Sequence, residues 1–464
     1  MDIENPITIE KNKMEFRSIN PHNGEQIGNY QSLTKEELEK KLNNSQKAYE
    51  LWRNVSLSER CSLLKKAAHI LRDNTEEYAR MITLEMGKPI SESRAEVLKC
   101  AWVCEYYAEN TPTFLEDEII QTDANHSFVK YDPIGSVLAI MPWNFPFWQV
   151  FRYAAPTLTS GNTGLLKHAP NVFGCAEMIE DVFTKAGYPN HVFQNLIVNH
   201  NQVEQIIAHK GVKAITLTGS ERAGSAVAAL AGKYIKKTVL ELGGNNAFIV
   251  LEDADIDKSV KIAVTARMLN GGQSCIAAKR FILVESIYDE FIHKFIREVS
   301  VLKVGNPIDE KTQVGPLARI DLANHLNKQV QDSMRRGAEL VFGGNQYDCF
   351  HEPTILGNVT PGMPAFDEET FGPLAAMVKA KDIDHAFELA ENSNYGLGVS
   401  VCTENIERAI SYASRISDGA YFINELVKSD PRLPFGGTKL SGYGRELAKD
   451  GMMEFVNRKT VYVK

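Results

Sequence analysis

TVLELGGNNAFIVLEDADIDKSVKIAV, residues 238–264, contains the end of one α/β series and the start of another. Thr238 to Leu242 is short, apolar and β-branched, which reads as a strand buried in a parallel sheet. Gly243 and Gly244 break that strand. From Ala247 a second apolar run leads into the Asp-rich stretch Asp253 to Asp257 and then an amphipathic helix, the order expected of strand, cap and helix. Upstream, Ser136 to Met141 and Ala214 to Thr218 are further β-rich runs, separated by helical segments of roughly ten residues or more. This rhythm predicts βαβ units, hence a parallel sheet covered by helices, and the restart near Ala247 predicts two α/β domains in tandem.

Outside these series, Thr34 to about Asn110 repeats apolar residues at helical spacing (Leu63, Leu64, Ala67, Ala68, Leu71) and predicts an all-helical opening. Ser127 to Tyr131 and Thr460 to Val463 read as strands belonging to neither series. Each would leave an open edge on a lone chain, so both are expected to pair with something, including another subunit. The 464 residues are too many for one core, and the formal charge of −8 without a basic stripe argues against nucleic acid or an anionic membrane as partner. A small molecule fits better. The opening MDIENPITIEKNKMEF has no signal-like apolar core, and no later stretch has bilayer-spanning length, so the cytoplasm is the expected compartment. Seven scattered cysteines agree with a reducing environment.

Three places carry chemistry. In LNGGQSCIAAKRF, Cys275 follows a glycine pair and a small polar residue, so backbone and ligand can approach its sulfur closely. In TVLELGG, Glu241 ends a strand at the carboxyl edge of a parallel sheet, where open α/β sheets bind ligands. Its carboxylate suits deprotonation of water, although a solvated strand-end charge explains it equally well. In SVLAIMPWNFPFWQVFRYAAP, Asn144 sits in a turn stiffened by Pro142 and Pro146, with an amide able to donate into a dry pocket. An Asx turn is the commoner reason for such an asparagine. Cys100 and Cys104, four apart on the opening helix, lack the histidines or CxxC that would complete a metal site, and no metal is expected.

PWNFP, TGS followed by Gly224, ELGG, GGQSC, EETFGP and PFGGTKLSGYGRE occur in this order along nearly the whole chain. The set resembles the aldehyde dehydrogenase superfamily, and the separation 275 − 241 = 34 residues between glutamate and cysteine is similar to the family's. The resemblance implies an aldehyde dehydrogenase-like α/β fold of two tandem Rossmann-like domains with a small β oligomerisation element. Residues 1–113 and 134–242 would form the NAD(P)-binding domain, 243–443 the catalytic domain, and 114–133 with 444–464 the oligomerisation element. It further implies that Cys275 attacks the aldehyde, Asn144 and the Cys275 N–H hold the oxyanion, and Glu241 activates the water that hydrolyses the thioester. Trp143, Lys167, Gly219, Ser220, Gly224, Leu242, Glu369 and Phe371 would form the cofactor site, with Ser220 at a helix N-terminus suited to a pyrophosphate.

Two departures from the family pattern stand out. Many NAD-preferring relatives carry a glutamate three residues after the lysine equivalent to Lys167, whereas this chain has Pro170 and then Asn171. A 2′-phosphate meets less repulsion there, so both cofactors are expected, with NADP favoured over NAD. ELGG also continues as Asn245 and Asn246 instead of the commoner lysine and serine.

Arg152 lies eight residues after Asn144, on the following helix, where a guanidinium can meet a substrate carboxylate. This placement, with LLKHAPN and SDPRLPFGGTKLSGYGRELA, is similar to bacterial succinate-semialdehyde dehydrogenases. Arg432 is a second candidate carboxylate contact and Phe435 a wall of the substrate tunnel, together with Phe147 and Trp148. Each of these arginines reads equally as a structural ion pair. Alternatives are oxidation of another small aliphatic or aromatic aldehyde, acyl transfer to coenzyme A, a cysteine hydrolase, or a binding protein that has kept the fold without catalysis. The family resemblance also implies a homodimer or homotetramer.

Overall fold

The computed structural model describes residues 13–464. The first twelve residues, part of the opening on which the reading of no signal segment rests, lie outside the described residues. The helical opening resolves into four helices, Lys35–Trp52, Leu57–Asp73, Thr75–Met86 and Ile90–Phe114. The first is fixed by a capping box in which Thr34 Oγ1 accepts from Glu37 N while the Glu37 carboxylate accepts from Thr34 N.

Five parallel strands form the first sheet in the order Lys237–Glu241, Val212–Thr218, Ser136–Ile140, Thr163–Lys167 and Phe193–Asn195. The inner strands are buried on both faces, which is why they read as continuous apolar runs. The second sheet contains Ala247–Val250, Arg280–Val284, Leu374–Ala380, Thr354–Gly357, Val399–Cys402 and Tyr421–Ile423, all parallel, with Glu339–Phe342 antiparallel at one edge. The restart near Ala247 is therefore the start of an inner strand of this sheet, and Asp255 caps the helix Ile256–Met268 by accepting from Lys258 N at 3.1 Å.

Two sheet edges are covered by segments from far along the chain. Gly442–Tyr443 leaves the second unit and pairs antiparallel with Lys237–Glu241, extending the first sheet beside Glu241. The two orphan strands pair with each other: His126–Pro133 runs antiparallel to Val456–Val463 through eight residue pairs, with Glu118–Ile119 on the far side. The edge expected to be open is thus half closed within the chain, because the C-terminus returns to cover it. The outer strand keeps Tyr462 and Val463 exposed. Among the described residues no helix is long and apolar enough to cross a membrane.

Candidate active site

The segment carrying Cys275 is shaped by a tight turn. Asn270, Gly271 and Gly272 take consecutive left-handed conformations (φ 56°, 58° and 74°), which explains the glycine pair. The fully buried Arg267 guanidinium donates to the carbonyls of Ala278 (2.8 Å), Gly272 (2.9 Å), Thr370 (3.2 Å) and Gly372, tying this turn to the EETFGP segment. Asn270 Nδ2 donates to Asn144 O at 2.8 Å, which docks the PWNFP turn on the cysteine loop. Asn144 itself is buried: its Nδ2 donates to Gln273 O (2.9 Å) and its Oδ1 accepts from Gln149 Nε2 (3.1 Å). One amide hydrogen therefore remains unspent. The Cys275 N–H likewise has no acceptor among the described residues, whereas its carbonyl accepts from Lys279 Nζ at 2.9 Å.

Cys275 and Gln149 line two cavities that meet at them. One, of about 180 Å³, is bounded by Trp143, Asn144, Gly219, Ser220, Leu242, Glu369 and Phe371. Within it Trp143 and Phe371 stack edge to face at 5.7 Å, and Glu369 Oε1 accepts from Gly244 N at 2.9 Å. Ser220 caps the helix Glu221–Lys233 through Ala223 N (3.3 Å), so that helix's N-terminus opens on the cavity. Seven of the eight residues expected at a cofactor are here or immediately behind: Gly224 packs under Leu242, with space for no Cβ. The eighth, Lys167, ends its strand outside this cavity. Burial pushes its amine down to about 8, and the acceptor nearest it is His168 O at 3.4 Å. An ammonium this buried, with so weak a partner, suits added hydroxyl or phosphate oxygens. The residues present therefore fit a dinucleotide. His168 is structural: its ring bonds to Pro146 O and Ala169 N at 2.9 Å each, and burial holds its pKa down to about 4.

The other cavity, about 190 Å³, is walled by Phe145, Trp148, Ile276, Val427 and Phe435, with Lys99, Arg152 and Lys428 as its cations. Trp148 and Phe435 line this cavity, while Phe147 is fully buried core. Arg152 reaches the wall but is committed. Its guanidinium pairs with the buried carboxylate of Glu446, lies 3.4 Å from Thr218 Oγ1 and covers the Phe435 ring at 4.7 Å. Arg432 does not reach the cavity. It is exposed and bonds both oxygens of Asp430 (2.9 and 2.7 Å), because its neighbour two residues back captures it. Expecting a substrate contact there is corrected: the residue braces its own loop.

Glu241 is 2% exposed at the strand end, with neither carboxylate oxygen bonded to a donor among the described residues. It is absent from both cavity walls, whereas its neighbours Leu242 and Gly243 line one. Burial, then the nearby Glu446, drives its pKa well above the usual carboxylate range, against the pull of Arg152 and Arg445. Burial raises Glu446 as well, but Arg152 sits on it and pulls the other way, whereas no donor meets the Glu241 oxygens among the described residues. Burial also pushes the Cys275 thiol up to about 11, with Arg152 and Lys279 opposing. Cys100 and Cys104 are helix packing, both fully buried, and among the described residues no cluster of His, Cys, Asp and Glu could hold a metal.

Several of these participants escaped the sequence reading. Gln149, Lys99 and Glu446 carry no motif of their own, although Glu446 closes GYGRE. The two unusual asparagines are explained: Asn245 Nδ2 donates to Phe366 O (2.6 Å) and Asn246 Nδ2 to Ile276 O (3.1 Å), the latter anchoring the residue after Cys275.

Comparison with known proteins agrees with this arrangement. The profile described as aldehyde dehydrogenase family matches residues 8–461. A probable succinate-semialdehyde dehydrogenase [NADP(+)] of Synechocystis is 46% identical, covering 97% of this chain and 100% of that protein. The succinate semialdehyde dehydrogenase [NAD(P)+] Sad of Escherichia coli is 45% identical, covering 96% and 97%. Among solved structures, succinic semialdehyde dehydrogenase from Streptococcus pyogenes, in complex with NADP+, superposes with a TM-score of 0.95 at 38% identity, covering 97% of this chain and 99% of that one. A thiol at the junction of two cavities, with Asn144 on one wall and a buried glutamate nearby, together with these matches, shows that this chain belongs to the aldehyde dehydrogenase family.

Proposed function

We propose that the chain oxidises succinate semialdehyde to succinate with NADP or NAD, NADP being favoured. The observation that carries this reading is the junction at Cys275: a cavity suited to a dinucleotide on one side and, on the other, a small apolar cavity edged by three cations and by Glu92 and Glu96. Two relatives above 40% identity over nearly full length are named for this substrate.

Cys275 Sγ, after losing its thiol proton to solvent, attacks the aldehyde carbon, and the unspent Asn144 amide hydrogen and the Cys275 N–H receive the oxyanion. A dinucleotide, when bound, would supply the hydride acceptor that oxidation of the hemithioacetal to a thioester requires. Trp143, Glu369 and Phe371 would hold the nicotinamide end, Ser220 and the helix N-terminus the phosphates, and Lys167 the adenosine ribose. Glu241, once deprotonated, takes a proton from the water that hydrolyses the thioester, and succinate leaves. Because its carboxyl lies behind the wall, it must turn toward the cavity for this step; it packs against Gly436, where a Cβ would stand 2.8 Å from Glu241 Oε1.

NADP preference is supported by the surroundings of Lys167. Its shift comes from burial alone, and its charge lowers His200 and, after burial, contributes to lowering His168. With that ammonium there and Pro170 in place of a carboxylate, a 2′-phosphate is attracted rather than repelled. The seven cysteines are all free thiols, which supports a cytoplasmic home. The exposed outer strand Val456–Val463 supports a homodimer or homotetramer joined through that sheet.

The test is nicotinamide reduction by wild type and Cys275→Ala, with succinate semialdehyde and with butanal, using each cofactor. Activity with succinate semialdehyde in wild type alone is expected, with kcat/KM higher for NADP. Activity that survives Cys275→Ala refutes the mechanism, and a hundredfold advantage for NAD refutes the cofactor preference.

A further inference from the structure

Of the three cations at the small cavity, two already have carboxylate partners. Arg152 pairs with Glu446, and Lys428 Nζ bonds Glu425 Oε2 at 2.8 Å. Lys99 is different. Its Nζ donates to a neutral acceptor, Ser429 Oγ, at 2.9 Å, and lies 4.2 Å from the centre of the Trp148 ring. It makes no ion pair among the described residues. The acids around it are all engaged elsewhere: Glu96 accepts from Lys88 and from the N–H groups of Phe147 and Trp148, Glu92 accepts from Asn270 N, and Asp430 is held by Arg432.

Ser429 completes the arrangement. Its hydroxyl oxygen accepts from both Lys99 Nζ and Trp148 Nε1 (3.1 Å), which fills its two acceptor positions. The hydroxyl hydrogen then has no acceptor among the described residues. An ammonium and an O–H donor, adjacent and both lacking an anion, line the same cavity as the Cys275 thiol. Burial lowers the Lys99 amine to about 8, so the ammonium form still prevails at neutral pH. An isolated charge in such a site is costly unless something pairs with it.

We propose that Lys99, with the Ser429 hydroxyl beside it, binds the distal carboxylate of the aldehyde substrate and makes the enzyme selective for short anionic aldehydes. This rests on the substrate reading above and deepens it, moving recognition from the arginines to a lysine on the helix Ile90–Phe114. Arg152 then acts as the group that holds Glu446 and shapes the wall, and the carboxylate meets a charge that no other residue has claimed.

The experiment measures kcat/KM for succinate semialdehyde and for butanal, an uncharged aldehyde of equal chain length, in wild type, Lys99→Met and Lys99→Arg. Loss of one charge-assisted contact predicts a fall of roughly 10- to 100-fold for succinate semialdehyde in Lys99→Met, mostly in KM, with butanal changed less than about threefold. Lys99→Arg should recover part of the loss. Calorimetric titration of succinate into Cys275→Ala and Cys275→Ala/Lys99→Met should show weaker binding in the second. If wild type prefers succinate semialdehyde and Lys99→Met keeps that preference, the role of Lys99 is overturned while the substrate reading stands. Equal loss for both aldehydes shows a structural role and also overturns it. A wild type that handles butanal as well as succinate semialdehyde overturns both readings together.

Discussion

Replacing Asn144 with alanine isolates the oxyanion contact from the rest of the site. The amide makes two bonds in the folded chain, donating to Gln273 O at 2.9 Å and accepting from Gln149 Nε2 at 3.1 Å, and keeps one hydrogen for the cavity. Removing that donor costs about 3 kcal/mol in the transition state, on the order of a hundred- to a thousandfold in kcat/KM. Stability suffers less. Gln273 O still accepts from Asn270 Nδ2 at 3.1 Å, so the main orphan is the buried Gln149 amide, worth about 1–3 kcal/mol. The assay pairs kcat/KM for succinate semialdehyde with the rate of Cys275 alkylation by iodoacetamide and with denaturant unfolding. Expected are a two- to three-decade fall in turnover (about 3 kcal/mol), an alkylation rate near wild type and a modestly lower unfolding midpoint. A kcat/KM within about fivefold of wild type, in a folded protein with a reactive thiol, refutes Asn144 as the oxyanion donor.

Glu241→Gln keeps the volume of a buried side chain but cannot take a proton; it should give one burst of reduced nicotinamide per site and then turn over about 10²- to 10⁴-fold slower. Steady turnover within tenfold of wild type, on the order of 1.4 kcal/mol, is the result that removes Glu241 as base. Only the thiolate of Cys275 is nucleophilic, so in the cofactor-free protein alkylation should climb as pH rises and level off above the thiol's value of about 11; a plateau already reached near neutrality contradicts burial as the dominant influence. In Gly224→Ala the added carbon would stand 2.6 Å and 2.7 Å from the two methyls of Leu242. The helix that caps the cofactor cavity must then move, at about 1–3 kcal/mol. The cofactor KM should rise roughly tenfold while Cys275 alkylation stays unchanged, and an unaltered KM argues against close helix packing as the reason for glycine.

Local patterns were enough to determine much of this protein. The run from Thr238 to Val264 encodes strand, turn, strand and capped helix through neighbours in the chain, and the structure has each of them. Cys275, Asn144 and the glycines stand in turns whose backbone demands are written in adjacent residues, so their positions were legible too. Tertiary structure decided which charges meet. Glu446, 294 residues after Arg152 (446 − 152), takes the guanidinium that spacing alone offered to a substrate. Asp430 takes Arg432 away from the cavity, and Lys99 reaches Ser429 across 330 residues. Periodicity and turn chemistry report the backbone within a few residues, where sterics and hydrogen bonding are local. An ion pair forms between whatever folding brings together, and the charge left without a partner is known only once all the others have found theirs.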